Sequence, residues 1–241
     1  FIICLLRPLV SYHTKVQPGT DLLVLFDTSA SMVKSGRLER ALAAMRKTGL
    51  SARLDEQFKV HRFAFDRNAR PINSLDAAAL EDAGEVTHMA ESLRTAWGYY
   101  RQSEQASNAG RSRILLVSDG ADNASVQGFA QVLEKVRSAD VAVYPLGLLN
   151  NSAAGRRARE ALSEIADLSG GRAFFPQSVD EIPMLTERIA HELRELYTLG
   201  YSPSNARRDG TWRSVRIQVR TPPETQRYKT NYRHGYYSPG P

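Results

Sequence analysis

The sequence predicts an α/β fold, with a doubly wound, mainly parallel central sheet and helices on both of its faces. Short apolar runs alternate along the chain with amphipathic segments of helical period, which is the pattern of right-handed strand–helix–strand units. Two runs, at 22–26 and 114–117, are apolar without interruption, as expected of strands buried on both faces. An aspartate closely follows each run, and open α/β sheets bind ligands at the carboxyl ends of their strands.

The first half of the chain contains two of the predicted strands and three helical patterns. Residues 10–20 are polar and include a Pro-Gly pair, so we interpret them as a linker into the first central strand. Apolar residues recur at helical spacing across 38–45 and predict a helix that ends near Gly49. Alternation of apolar and polar residues predicts a strand at 58–65, and shorter helical patterns follow at 75–82 and 91–100.

The second half repeats the alternation after the strand at 113–118. A helix is predicted through 129–136, and an apolar strand follows at 141–147. The helix predicted at 155–169 ends at a Gly-Gly pair, which suits a helix C-terminus. A last strand at 172–175 and a helix at 179–197 complete the α/β pattern.

The remainder of the chain predicts a small antiparallel β extension. A meander of short strands is predicted at 199–203, 212–220 and 228–237, with an Asp-Gly turn signal at 209–210. The chain therefore divides into three predicted units. They are an N-terminal segment at 1–17, which is a fragment edge or linker, an α/β domain at 18–197, and the β extension at 198–241.

Composition excludes several classes of protein. The chain has 241 residues, 42% of them hydrophobic and 24% charged, which is ordinary for a globular protein. Cys4 is the only cysteine, so neither an intrachain disulfide nor a zinc site built from cysteines can form. No apolar run reaches the roughly 20 residues of a membrane-spanning helix. The apolar residues 1–6 fit the end of a signal sequence, a strand or the edge of a larger polypeptide, and we favour the last.

The net positive charge of the chain comes from the C-terminal segment. Residues 196–241 hold eight Lys and Arg and two acids, which accounts for the whole net charge of +6. Alternating arginines beside aromatic residues could bind nucleic acid or another polyanion. We favour a solvated sheet face instead, and nucleic acid is not an expected partner.

Candidate site residues cluster where the two apolar strands end. Asp27, Ser29 and Ser31 place three oxygen atoms on one tight loop, and oxygen-only ligands suit a hard cation such as Mg²⁺ or Mn²⁺. Three oxygens are too few for octahedral coordination. Asp119, at the end of the second strand, and Thr87, in a loop entering a helix, are the further candidates.

These five residues resemble the metal-ion-dependent adhesion site (MIDAS) of the von Willebrand factor type A (VWA) domain. That motif is Asp-x-Ser-x-Ser, then a Thr, then an Asp, and the matching residues here are Asp27, Ser29, Ser31, Thr87 and Asp119. The resemblance covers roughly residues 18–196 and implies a Rossmann-like fold. It also implies that the two serines and the threonine touch a Mg²⁺ or Mn²⁺ ion, while the aspartates act largely through water.

One departure and one further resemblance refine this interpretation. Glu85 and Val86 stand where VWA domains commonly have Gly-Gly before the threonine, and we interpret Glu85 as a solvated loop carboxylate. The segments at 119–123, 199–203, 209–213 and 234–237 resemble a bacterial "VWFA-related" family that is often found in Acidobacteria. That resemblance implies an extracytoplasmic location, either periplasmic or secreted.

The function implied by the resemblance is binding rather than catalysis. The expected protein is an adhesion or interaction module whose metal ion bridges to an Asp or Glu carboxylate of a protein partner. One alternative is an assembly protein that binds through the basic C-terminal strands. Another is a magnesium-dependent phosphatase-type hydrolase with Asp27 as nucleophile, although Ser29 stands where such enzymes need a second aspartate. No Gly-rich phosphate loop and no Ser/His/Asp arrangement stands out in the sequence.

Overall fold

The structure is a computed structural model that describes residues 8–15, 20–73, 75, 84, 87–102, 112–120, 128–138, 141–178, 181–218 and 230–240. The strands are β1 (Pro8–Lys15), β2 (Thr20–Asp27), β3 (Phe58–Phe65), β4 (Ala69–Pro71), β5 (Ser112–Ser118), β6 (Val141–Gly147), β7 (Glu195–Tyr201), β8 (Trp212–Ser214) and β9 (Gly235–Tyr237). The helices are α1 (Ala30–Lys34), α2 (Arg37–Lys47), α3 (Leu50–Gln57), α4 (Met89–Gln102), α5 (Gly128–Ser138), α6 (Ala153–Ser169) and α7 (Ile182–Arg194).

The central sheet has five strands in the order β4-β3-β2-β5-β6. β2 pairs in parallel with β3 on one side and with β5 on the other, and only the short edge strand β4 is antiparallel. The chain moves outward from β2 in one direction and then returns to its other side. The carboxyl ends of β2 and β5 therefore flank the topological switch point, where such sheets form their ligand sites. The predicted fold class is confirmed.

Both faces of β2 are buried, as its uninterrupted apolar sequence predicts. Leu22, Val24 and Phe26 pack into one core with apolar residues of α2, α3 and α7. Leu23 and Leu25 point to the opposite face and pack with apolar residues of α4, α5 and α6. Because successive side chains of a strand alternate between faces, a central strand covered by two helical layers must be apolar throughout.

Two sequence interpretations near the ends of the α/β region are wrong. The segment interpreted as a linker is β-structure over residues 10–15, because β1 pairs antiparallel with β7 along its length. The last helix ends at Arg194 rather than at residue 197, and the chain continues directly into β7. β1 contains several polar residues and no regular apolar pattern, so the sequence did not indicate a strand there. Its partner β7 lies far away in sequence, so the pairing could not be predicted from local patterns. The division of the chain into three units stays a prediction.

Among the described residues of the predicted C-terminal extension, β8 and β9 form a two-stranded antiparallel sheet, and the strand predicted at 199–203 does not join it. β7 is unavailable to it because β7 pairs with β1. After β8, Val215 and Ile217 are half-buried while Arg216 and Gln218 are exposed.

The β8–β9 sheet packs against α5. The Tyr237 hydroxyl donates to a carboxylate oxygen of Glu134, and the Arg233 side chain donates to the backbone oxygen of Arg137. The Arg137 guanidinium lies 5.9 Å from the centre of the Trp212 ring, at cation–π distance. This small sheet is therefore attached to the α/β domain through specific side chains.

The remaining predicted elements have mixed outcomes. The segments at 91–100 and 155–169 lie within α4 and α6. The strand predicted at 172–175 is reduced to a single parallel bridge between Phe174 and Leu146. The helix predicted at 75–82 falls almost wholly outside the described residues. Across the part of the chain that the structure describes, no helix is long and apolar enough to span a membrane.

Candidate metal centre

The loop after β2 presents the first three candidate residues. Asp27 ends the strand and is fully buried, and its Oδ1 accepts a hydrogen bond from the Ser29 backbone N–H at 2.9 Å. Thr28 anchors the loop to β3, because its N–H and its hydroxyl both donate to the Phe65 carbonyl oxygen, at 2.8 and 3.1 Å. Ser31 lies in α1 and is exposed. The loop thus runs from a buried carboxylate to an exposed hydroxyl.

The two serine hydroxyls have a spacing that suits a small cation. Ser29 Oγ and Ser31 Oγ lie 3.0 Å apart. Neighbouring oxygens on an octahedron with metal–oxygen distances of about 2.1 Å are separated by about 3.0 Å, so both hydroxyls can bind the same Mg²⁺ ion. In the structure the two hydroxyls hydrogen-bond to one another. The donor set therefore fits the hard cation that the sequence predicts.

Burial disfavours the ionised form of the Asp27 carboxyl. Burial raises its pKa from 3.8 to about 6, and repulsion from the Asp119 carboxylate adds to the rise. Hydrogen bonds from Ser118 and Ser29 act in the opposite direction and lower the pKa. The stronger of these is a buried bond of 2.6 Å from Ser118 Oγ to Asp27 Oδ2. A divalent cation nearby would stabilise the ionised carboxylate that burial disfavours.

The loop after β5 supplies the second aspartate. Asp119 is only 7% exposed, and its Oδ2 accepts a hydrogen bond of 2.9 Å from Arg37 Nη1. Gly120 follows with φ of 69°, a left-handed conformation that favours glycine, and its N–H donates to Ser118 Oγ. Ser118 thus bridges the two loops, since it also donates to Asp27. This turn sets Asp119 beside the end of β2.

The Thr87 segment is attached to the same edge of the sheet. Thr87 is buried, and the Ala30 N–H at the start of α1 donates to the Gly84 carbonyl oxygen at 3.0 Å. The His88 N–H donates to the Asp66 carbonyl oxygen after β3. Gly84 is required for this approach, because a Cβ there would lie 2.6 Å from Asp66 Oδ2.

The structure brings four of the five candidates into direct or one-residue-bridged contact. Ser29 contacts both Asp27 and Ser31, and Ser118, the residue directly before Asp119, donates a hydrogen bond to Asp27. Thr87 lies in the segment that Gly84 joins to the serine loop. Glu85 lies outside the described residues. Metal binding by the five residues stays a prediction.

The residues at this centre differ from a site built on carboxylates and imidazoles. Within the described ranges, no group of three or more His, Cys, Asp and Glu is arranged to hold a metal ion. The candidate centre combines two carboxylates with neutral hydroxyls, and hydroxyl ligands do not enter that kind of group. The two negative charges of these carboxylates therefore balance the two positive charges of a divalent cation.

Sequence reasoning missed Arg37 and Ser118. Ser118 could have been found from the sequence. It directly precedes Asp119 at the end of a predicted buried strand, and this strand end was expected to lie beside the end of the first central strand. Arg37 carries no such signal, since it meets Asp119 across 82 residues of sequence. Its position depends on how α2 packs on the sheet.

Sequence comparison gives no relatives, whereas structure comparison gives many. No protein-family model matches the chain, and no curated protein matches it in sequence. The fold is similar to that of a von Willebrand factor type A protein from Catenulispora acidiphila, with TM-score 0.53, 14% identity, and coverage of 72% of this chain and 42% of that one.

Two proteins from other sources have similar folds. Proximal thread matrix protein 1 from the mussel byssus aligns with TM-score 0.55 and 14% identity, over 80% of this chain and 49% of that one. The pilus adhesin SpaC from Lactobacillus rhamnosus GG, in an open conformation, aligns with TM-score 0.52 and 12% identity, over 74% and 30%. The chain spans less than half the length of each of these three proteins. Together with the sheet order, the comparisons support a VWA-type fold.

Proposed function

We propose that this VWA-type chain is a divalent-metal-dependent module that binds a protein partner. A Mg²⁺ or Mn²⁺ ion would be held by Ser29, Ser31 and Thr87, with Asp27 and Asp119 acting largely through water. The observation that carries the proposal is the 3.0 Å pair of serine hydroxyls in front of a buried carboxylate at the switch point of the sheet. That placement supports a cation site open toward solvent on the Ser31 side.

The charges at the centre favour an acidic partner. Two carboxylates offset the charge of a divalent ion, and the hydroxyls add none, so the metal remains electrophilic toward one more anionic oxygen. An Asp or Glu side chain of a partner supplies that oxygen and completes the octahedral shell. The metal ion is thereby the bridge between the two proteins, and removing it abolishes binding.

The structural neighbours support the interaction role and the proposed location. One is a pilus adhesin and another is a matrix protein of the mussel byssus. We extend from these to an adhesion or interaction role for this chain, at an extracytoplasmic site that is periplasmic or secreted. Membership of the bacterial VWFA-related family, suggested by the C-terminal segments, is part of the same proposal.

The environment of Asp27 argues against the hydrolase alternative. A nucleophilic carboxylate must present a free oxygen to its substrate. Both oxygens of Asp27 accept hydrogen bonds, from Ser29 N–H and from Ser118 Oγ, and the residue is fully buried. We therefore propose a binding protein rather than an enzyme.

The contacts of the C-terminal arginines argue against binding through that segment. Arg213 donates to both carboxylate oxygens of Asp209, at 2.9 and 3.0 Å. Arg233 donates to a backbone oxygen of α5. These side chains hold the β8–β9 sheet in place, which leaves less basic surface for a polyanion. We do not propose nucleic acid as a partner.

A peptide selection tests the proposal. The purified chain is immobilised and exposed to a random peptide library in magnesium buffer, and bound peptides are eluted with EDTA. The proposal predicts enrichment of an Asp or Glu at one fixed position, and loss of that enrichment in Asp27→Ala. Asp55→Ala, which removes an exposed carboxylate on α3, is the matched control. Selection of peptides without an acidic position, or equal selection by Asp27→Ala, would contradict the proposal.

A further inference from the structure

The candidate metal centre already contains a cation supplied by the protein. Arg37 Nη1 lies 2.9 Å from Asp119 Oδ2, with the two side chains 22% and 6% exposed. The guanidinium of arginine carries a positive charge throughout the physiological pH range. A shielded pair of this kind is weakened less by salt than an exposed surface pair. The charge of the Arg37 guanidinium therefore offsets that of the Asp119 carboxylate.

The position of Arg37 is fixed relative to the metal loop. Arg37 is the first residue of α2, whose buried Leu38 anchors the helix to the core. Ser35, between α1 and α2, donates from its hydroxyl to the Ser31 carbonyl oxygen at 2.5 Å. The serine loop, α1 and the start of α2 thus follow one another directly along the chain. Their packing places the Arg37 guanidinium beside Asp119.

A bound metal ion and Arg37 both attract Asp119 and repel each other. A metal ion held through Asp119 would share this carboxylate with the Arg37 guanidinium. For charges separated by on the order of 6 Å, repulsion between a double and a single positive charge weakens metal binding by about tenfold even at the dielectric constant of water. Removing the arginine should therefore strengthen metal binding.

The charge count of the centre links Arg37 to the acidic partner. Asp27 and Asp119 balance a divalent ion, so Arg37 leaves the metal-loaded centre with one excess positive charge. A partner carboxylate removes that excess. Metal and carboxylate should then each strengthen the binding of the other, and this coupling is reciprocal by thermodynamic necessity.

We propose that Arg37 is an internal counter-cation that lowers the affinity of the centre for metal alone and makes metal binding depend on the partner's carboxylate. This inference rests on the proposed function and specifies its regulation. Arg37 holds Asp119 in the metal-free state. When metal and an acidic ligand arrive together, the total charge of the centre is zero.

Manganese titration of two variants tests this proposal. Mn²⁺ binding is measured by calorimetry or electron paramagnetic resonance for the wild type, Arg37→Gln and Arg40→Gln, with and without acetate as the carboxylate probe. Arg37→Gln should bind Mn²⁺ about tenfold more tightly than the wild type, and acetate should improve its affinity less. Arg40 is exposed on the same helix and donates to the backbone oxygens of Gly36 and Ser35. Its substitution should change Mn²⁺ affinity by less than about twofold.

The outcomes separate this proposal from the proposed function. Equal or weaker Mn²⁺ binding by Arg37→Gln, beside measurable binding by the wild type, overturns the role of Arg37 alone. Absence of Mn²⁺ binding in both overturns the metal-dependent function as well. Arg37→Lys keeps the positive charge and should retain the wild-type Mn²⁺ affinity. If Arg37→Gln does not fold, the Mn²⁺ affinity of Arg37→Lys is the test. A tenfold gain in Arg37→Lys would contradict the charge argument.

Discussion

Replacing Asp27 with asparagine should stabilise the metal-free protein at neutral pH. In the folded protein burial raises the Asp27 pKa from 3.8 to about 6, which corresponds to about 3 kcal/mol at about 1.36 kcal/mol per pKa unit. Because the folded pKa is the higher one, this carboxyl favours folding fully only below pH 3.8. Its contribution is lost as the pH rises to about 6. At pH 7 the wild type therefore contains an ionised group that the fold disfavours.

Asparagine retains most of the local contacts of Asp27. Its amide oxygen can accept from the Ser29 N–H, and its amide nitrogen can donate to Ser118 Oγ, which now donates to Asp27. Exchanging hydrogen bonds to a charged acceptor for hydrogen bonds to a neutral amide costs about 1 kcal/mol or somewhat more. We therefore expect Asp27→Asn to raise the free energy of unfolding by about 1–2 kcal/mol at pH 7 in EDTA, and not to raise it near pH 4.

Magnesium should reverse this order. A ligand that binds only the folded state stabilises it by about 2.7 kcal/mol at a concentration one hundred times its Kd, and Asp27→Asn should not respond. Urea unfolding at several pH values, in EDTA and in magnesium, measures both effects. Asp55→Asn, whose carboxylate is exposed and pairs with Arg62, is the control, with a change below about 1 kcal/mol in either buffer.

Two results would refute this reasoning. A difference between the wild type and Asp27→Asn that does not vary with pH would show that burial does not displace the carboxyl pKa. Equal stabilisation of the two proteins by magnesium would show that any bound ion lies elsewhere.

Three further substitutions test other parts of the structure. Ser118→Ala removes the hydroxyl that donates to Asp27 and should cost about 1–3 kcal/mol in urea unfolding, with a further rise of the Asp27 pKa by NMR titration. Gly120→Ala places a Cβ 2.8 Å from the Ala158 Cβ at a left-handed φ, so we expect a loss of about 2 kcal/mol or more by thermal unfolding and weaker Mn²⁺ binding by calorimetry. Trp212→Ala should release the β8–β9 sheet from α5, seen as faster hydrogen exchange in β8 and β9 than in the wild type, while exchange in β2 stays unchanged.

The central sheet could be predicted because its strands are chemically unambiguous. β2 and β5 are buried on both faces and must be apolar throughout, so their ends and the aspartates that follow are visible in the sequence. The strand at 58–65 was predicted within its observed bounds from apolar and polar residues that alternate in its sequence, although Phe63, Ala64 and Phe65 are all buried. β1 was not predicted, because its sequence has no regular apolar pattern and its partner strand β7 lies far away along the chain.

The candidate site was predictable in its chain order but not in its electrostatics. Asp27, Ser29 and Ser31 share one loop, so sequence proximity places them together. The contact of Arg37 with Asp119 and that of Ser118 with Asp27 both depend on how distant segments pack. The contact of Arg37 with Asp119 adds a positive charge to the centre, and the role proposed for Arg37 depends on that charge.

The proposed function requires a divalent-metal site at the loops after β2 and β5, and calorimetric titration measures metal binding there. Mg²⁺ and Mn²⁺ are titrated into the wild type and into an Asp27→Ala/Ser29→Ala variant, with acetate present to complete the shell. We predict saturable one-site binding by the wild type and its loss in the variant, with both proteins folded by circular dichroism. Equal binding by the two proteins, or no binding by the wild type, would contradict the claim.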